Sequence, residues 1–295
     1  MSEVARICLL GFGEVGQTLA ADLLTRGFSQ LSAWDTQFTD PDSAPMRASK
    51  LIAVRTGDSA KAAISNSTLV ISAVTADQDV EAARSVTSYL QKGCYFLDLN
   101  SVSPGVKVVV SQQVEAAGGR YVEAAIMSPI APRRIGSPML FGGPRAREFL
   151  PLAHSLGFVG AEVFAEELGR AAAAKMCRSV VVKGMEALLA ESLLTARHYG
   201  VEETVLKSLR DLFPAPDWPT LARYMISRSL LHGRRRAEEM REVAKTVGEA
   251  GIDAWMSSAC AERQQWAAGH GEAASHEQLT GMLDALLAAR ENRAC

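Results

Sequence analysis

Little in this chain is extreme, and what it lacks narrows the field. Only 5 of its 295 residues are cysteine: Cys8, Cys94, Cys177, Cys260 and Cys295, widely spread and without a C-x-x-C pair. An odd, scattered set argues against a disulfide framework or a zinc site; we expect no metal and reduced, cytoplasmic thiols. No apolar run approaches the ~18 residues that a membrane helix needs. The run Ile7–Leu10, behind Glu3, is too short for a signal-peptide core. Neither sign of charge dominates, since 31 Lys and Arg oppose 33 Asp and Glu for a net −2. That balance gives no global basic field for nucleic acid. With 48% hydrophobic and 22% charged residues the chain is neither disordered nor collagenous. At ~150 residues per domain its length suggests about two domains.

The texture changes along the chain. The first half alternates short apolar runs with helix-forming segments. The runs are Ile7–Leu10, Leu31–Trp34, Leu69–Val74, Tyr95–Leu99, Arg120–Ala124 and Met139–Phe141. Strand and helix in repetition predict α/β architecture, a doubly wound parallel sheet with crossover helices on both faces. From Glu166 onward the chain is helix-forming, predicting an all-α domain. The expected division is 1–165 and 166–295. In the second part, helices are expected over Ala171–His198, Pro219–His232, Ile252–Ala268 and His276–Arg293. Phe213–Pro219 reads as a loop; the helix from Pro219 could run on through the 230s or break at Gly233.

Gly11-Phe12-Gly13-Glu14-Val15-Gly16 is G-x-G-x-x-G, between an apolar strand and a helical pattern. In that setting it predicts dinucleotide binding. Gly11 would make the tight turn, Gly13 would admit the pyrophosphate, and Gly16 would let helix and strand pack closely. Free amides at the helix start would hold the phosphates. Asp35 lies 19 residues beyond Gly16, where an acid meets the ribose hydroxyls of NAD. Its charge opposes a 2′-phosphate and Thr36-Gln37 offers no arginine, so NAD is expected, with NADP left open. A turn-forming role for Asp35 is the plainer alternative.

The opening GFGEVGQTLAADLLTRGFSQLSAWD resembles the start of the β-hydroxyacid dehydrogenases, which include 3-hydroxyisobutyrate and 6-phosphogluconate dehydrogenases. The resemblance reaches to about residue 190, and the later half is similar to the C-terminal domain of phosphogluconate dehydrogenase-like proteins. It implies a Rossmann domain followed by a helical one, a homodimer, and hydride transfer between nicotinamide and the hydroxyl carbon of a small acid. Val74-Thr75 matches the segment that skirts the cofactor. Leu97 to Pro104 resembles D-x-S-T-x-x-P, which implies that Ser101 helps place nicotinamide and substrate. From the residues alone, Ser101 and Ser103 would serve equally as helix caps before Pro104. Glu123 to Pro129 lies where the family carries D-A-P-V-S-G-G. Met127 replaces the serine, Ser128 follows one position later, and the two glycines are gone. Leu168 to Lys175 matches the helix start bearing the catalytic lysine. Lys175 would pass the hydroxyl proton, and burial of its amine among alanines would ready it for that task. Ser179 stands one turn later, where the family has asparagine.

Arg228, His232, Arg235, Arg236 and Glu239 fall on one face of an unbroken helix. One reading is a clamp for an anionic substrate, with His232 and Arg235 in contact. The other is a solvated face, with Arg236 paired to Glu239 or Glu242 and Glu186 paired to Lys183. The leading expectation is an NAD-dependent dehydrogenase or reductase acting on a small hydroxy or keto acid. An imine reductase on the same scaffold and a non-catalytic NADH sensor are the alternatives; neither nucleic acid nor membrane is expected as a partner.

Overall fold

A computed structural model describes residues 5–291. Glu3, Arg293 and Cys295 lie outside the described residues. The chain divides into two compact units, Met1–Met176 and Cys177–Cys295.

Among the described residues, the first unit holds one sheet of eight strands. These are β1 (Ile7–Leu10), β2 (Leu31–Trp34), β3 (Arg55–Thr56), β4 (Leu69–Ser72), β5 (Tyr95–Asp98), β6 (Arg120–Ile126), β7 (Met139–Gly142) and β8 (Ala161–Ala165). Their order across the sheet is β3-β2-β1-β4-β5-β6-β7-β8. β1 is apolar at every position, and β4 and β5 are apolar up to their last residues, because both faces are covered. Ile7 and Leu9 join Leu69, Ile71 and Leu97 in one core, while Cys8 and Leu10 join Val70 and Phe96 in the other. Covering the faces and linking the strands are α1 (Glu14–Thr25), α2 (Ala44–Ile52), α3 (Ala60–Ile64), α4 (Asp79–Thr87), α5 (Pro104–Ala116), α6 (Ile130–Arg133) and α7 (Ala146–Leu156).

Strand register creates the site. Parallel pairing sets Leu10 beside Ser72 and Ser72 beside Asp98, with Trp34 on the other side of Leu10. The segments that follow β1, β2, β4 and β5 therefore leave the same edge at one level. Chain order reverses between β1 and β4, the switch point at which such sheets take their ligands.

The sheet is not parallel throughout. β7 runs antiparallel to β6, with Ile126 opposite Met139. The intervening segment carries Pro129, Pro132 and Pro138, and its only α-helix is the single turn α6. It cannot supply the long helix that a parallel crossover uses. Two edge strands were not expected. β3 has only two residues, and β8 leaves Glu162 and Phe164 exposed on its outer face.

The helix α8 (Arg170–His198) runs across the division between the units. In the second unit follow α9 (Glu202–Leu212), α10 (Trp218–Glu249), α11 (Trp255–Ala267) and α12 (Leu279–Glu291). Leu193, Ile226, Leu230, Met282 and Leu283 lie at the centre of their core. Asp217 caps α10 through the amide of Thr220, and Pro219 fits its first turn. Of the two courses open past His232, the helix takes the unbroken one through Gly233. A Cβ there would sit 2.5 Å from the Gln264 carbonyl oxygen, so the glycine admits α11 against α10. That packing outweighs the ~1 kcal/mol by which glycine disfavours a helix interior. No helix among the described residues is long and apolar enough to cross a membrane.

Candidate active site

The three glycines of the loop after β1 have separate tasks. Gly11 turns the chain at φ +88°, where a Cβ would meet the Ala73 carbonyl oxygen at 2.3 Å. At Gly16 a Cβ would lie 2.2 Å from the Gly11 carbonyl oxygen, so this glycine lets α1 close onto the turn. Gly13 is exposed, and a Cβ there would meet nothing within 4 Å. α1 opens at Glu14 without a side-chain cap, which leaves its first amides to an outside acceptor. Phe12 is fully buried, Val15 is half-buried and Glu14 is exposed.

Asp35 lies at the end of β2 and accepts two backbone amides, from Phe12 at 2.8 Å and Gln37 at 2.9 Å. It thus ties the glycine loop to the segment after β2 while also shaping its own turn. Each carboxylate oxygen still has acceptor capacity.

Past β4, the Val74 amide donates to Asn100 Oδ1 at 2.7 Å, and Thr75 donates to Asp77 at 2.5 Å. The buried Asn100 side chain also donates to Ser72 Oγ and Asp79 Oδ1, at 2.9 and 2.6 Å. Beneath it Asp98 is fully buried. It pairs with Lys107 at 2.7 Å, takes the Tyr121 hydroxyl at 2.7 Å and takes the Asn100 amide at 2.9 Å. Burial, with Asp98 alongside, pushes the Tyr121 phenol well above its ordinary range. A buried carboxylate needs such partners. Asn100, Asp98, Lys107 and Tyr121 were not singled out from sequence. The available signals were a charged residue closing an apolar strand and a lysine inside a valine-rich helix.

Of the two serines before α5, Ser103 is the cap, accepting the Val106 amide at 3.4 Å. Ser101 is half-buried and accepts a hydrogen bond from Lys175 Nζ at 2.5 Å. Lys175 stands in the second turn of α8, whose start is held by a residue that sequence reading passed over. Glu123, fully buried in β6, accepts the amides of Gly169 at 2.7 Å and Ala172 at 2.6 Å. Burial raises its carboxyl above the ordinary glutamate range, against the pull of those two amides and the charge of Lys107. Ser128 is half-buried beyond β6, with its hydroxyl turned onto the Pro129 carbonyl at 3.1 Å.

Ser179, His232 and Arg235 belong to the second unit. Ser179 is buried, His232 half-buried and Arg235 exposed, the last paired with Glu239 at 3.2 Å. The other pairings differ from those expected. Arg236 is buried and pairs with Glu186, which also accepts from Gln264 at 3.1 Å; Lys183 pairs with Glu239. Burial raises the Glu186 carboxyl and lowers the Arg236 guanidinium, each opposed by the other's charge. The charged face of α10 is thus engaged partly by α8 and not by its own helix alone.

Fold and glycine loop together define a Rossmann-type protein carrying a lysine–serine pair beyond its strand ends. Residues 6–166 match the NAD binding domain of 6-phosphogluconate dehydrogenase, and the chain belongs to that family as a divergent β-hydroxyacid dehydrogenase-like member. Residues 196–267 match DUF1932, a domain of unknown function. A conserved hypothetical protein from Sinorhizobium meliloti is 33% identical, with 97% of this chain and 96% of that one covered and a TM-score of 0.74. Conserved protein MTH1747, described as structurally similar to 3-hydroxyacid dehydrogenases, is 32% identical over 89% of this chain and 96% of its own, at a TM-score of 0.68. The 3-hydroxyisobutyrate dehydrogenase of Mycobacterium tuberculosis, solved with L-serine, shares the fold at 18% identity and a TM-score of 0.71, over 96% of this chain and 99% of that one.

Proposed function

We propose that the protein is an NAD-dependent oxidoreductase that interconverts a small hydroxy acid, or a related alcohol, and its carbonyl form. The observation carrying this reading is the hydrogen bond from Lys175 to Ser101, made beyond the carboxyl end of β5. The dinucleotide suits the residues around Gly13. The open space there and the uncapped start of α1 fit a pyrophosphate. Asp35 would accept the ribose hydroxyls and repel a 2′-phosphate, which favours NAD over NADP. Phe12, Glu14, Val15, Val74 and Thr75 would complete the surround.

When bound, the nicotinamide exchanges a hydride with the substrate carbon. The protein's part is to hold the substrate and move a proton. Ser101 fixes the Lys175 amine, and Lys175 Nζ takes the hydroxyl proton in oxidation or returns it in reduction. Ser128 in the first unit, and Ser179, His232 and Arg235 in the second, are carried forward as substrate-contact candidates, the last two suited to an anion. A homodimer is part of the proposal. It is supported by the exposed Val181 and Leu188 of α8 and Tyr224 and Leu231 of α10.

The test is absorbance at 340 nm with NAD or NADH and a panel of hydroxy acids, keto acids and imines. Turnover of an acid that collapses in Lys175→Ala supports the reading. NADH binding without turnover of any panel member sinks the enzymatic reading and leaves a sensor. Turnover of imines alone reassigns the substrate class.

A further inference from the structure

We propose that a cleft beside the last turn of α1, separate from the glycine loop, binds a small organic anion carrying a phosphate or paired carboxylates. The cleft lies between that turn and the segment following α6, and has a volume of about 310 Å³. This is the scale of a small-ligand site. Arg26, Arg133 and Arg134 line it, with Asp22 as the only acid, and Thr25 and Ile135 complete much of the wall.

The acid is already engaged. Asp22 accepts Arg134 Nε at 2.7 Å and the Ile135 amide at 3.0 Å. Arg26 and Arg133 have no ion pair or side-chain hydrogen bond among the described residues, so two guanidiniums remain uncompensated around one concavity. Guanidinium forks are matched to phosphate and carboxylate oxygens.

The arrangement is built rather than incidental. Arg134 adopts φ +53° and ψ −133°, a backbone conformation that non-glycine residues rarely keep. The two Asp22 bonds clamp this turn, and the turn sets Arg133 and Arg134, consecutive in sequence, on the wall of the same cleft. Arg26, on the same lining, lies against Gly157, where a Cβ would come within 2.4 Å of its Nε. Gly157, at φ +109°, therefore provides the seat of the Arg26 guanidinium. The C-terminus of α1 is the cleft's second unfavourable feature for an anion, but the carbonyls of Asp22, Leu23 and Leu24 already accept the amides of Arg26, Gly27 and Phe28. The proposal does not depend on the oxidoreductase reading.

The experiment is calorimetric titration of the full chain, at low ionic strength, with inorganic phosphate and separately with citrate. Expected is saturable binding whose dissociation constant rises at least tenfold in the double variant Arg26→Ala, Arg133→Ala. The same constant should change less than twofold in Gly13→Asp, which would repel an anion from the glycine loop. Tighter phosphate binding assigns a phosphorylated ligand, and tighter citrate binding a polycarboxylate; either supports the site. Absence of saturable binding for both probes overturns the proposal. So does binding lost in Gly13→Asp but kept in the arginine variant, which would place the anion at the glycine loop.

Discussion

The Glu123 carboxylate accepts the Ala172 amide at 2.6 Å, although 49 positions separate the two residues. A strand acid thereby closes the first turn of the helix that carries Lys175. Removing it in Glu123→Ala would strand two buried amides, each at about 1–3 kcal/mol. We expect a clear loss of melting temperature and, because α8 would be less firmly seated, lower kcat. Glu123→Gln isolates the charge. Burial raises the native carboxyl pKa, so the native state holds its proton to higher pH than the unfolded chain does. Its contribution to stability is therefore full below the ordinary glutamate range and lost as pH rises through the raised value. The difference between wild-type and Glu123→Gln stability, followed by denaturant titration across pH, should fall over that window. A flat difference would contradict the assignment.

Gly16 and Gly13 should respond oppositely to the same methyl group. Gly16→Ala presses a Cβ onto the Gly11 carbonyl and should cost ~1–3 kcal/mol of stability, as overpacking does. Gly13→Ala meets no protein atom and should leave stability within about 1 kcal/mol of wild type. Its NADH affinity should nevertheless fall at least about tenfold, or 1.4 kcal/mol, measured by fluorescence titration.

Asp35 has two duties, and Asp35→Ala should reveal both. Loss of the acceptor for Phe12 and Gln37 should lower the melting temperature. Loss of a charged hydrogen-bond partner for ribose, worth about 1.5–3 kcal/mol, should weaken NADH binding roughly 10- to 100-fold. Preference for NADH over NADPH should narrow in the same titrations, because the repulsion of a 2′-phosphate is gone.

At the lysine–serine pair, Lys175→Ala should lower kcat by ~10²–10⁴ with NADH binding unchanged. Ser101→Ala keeps the amine but frees its position, so its effect on kcat should be smaller. Equal losses in the two would argue against separate roles for proton transfer and orientation.

The central strands could be read from sequence because burial on both faces leaves uninterrupted apolar runs, as at Ile7–Leu10 and Leu69–Ile71. The glycine loop was legible because local backbone needs dictate glycine at Gly11 and Gly16. What stayed hidden was set by partners distant in the chain. Ser101 and Ser103 look alike in sequence, and only the approach of Lys175, 74 positions away, separates their roles. Glu186 sits three positions from Lys183 but pairs instead with Arg236, 50 positions on, because α8 packs against α10. Gly233 left break and continuation both open because its reason for being glycine, the Gln264 carbonyl, lies on another helix. The reversal of β7 had a local cause in three prolines, which reading as a stiff loop did not turn into strand direction.

The register that sets Leu10 beside Ser72 and Ser72 beside Asp98 also bears on how the molecule comes into being. The ligand edge has no local nucleus, since its parts meet only through parallel pairings between segments far apart in the chain. Such pairings close slowly, because chain entropy is lost before contacts repay it. Competence to bind a dinucleotide should thus arrive late in folding. A dinucleotide in the refolding buffer would then slow unfolding while leaving the folding rate nearly unchanged.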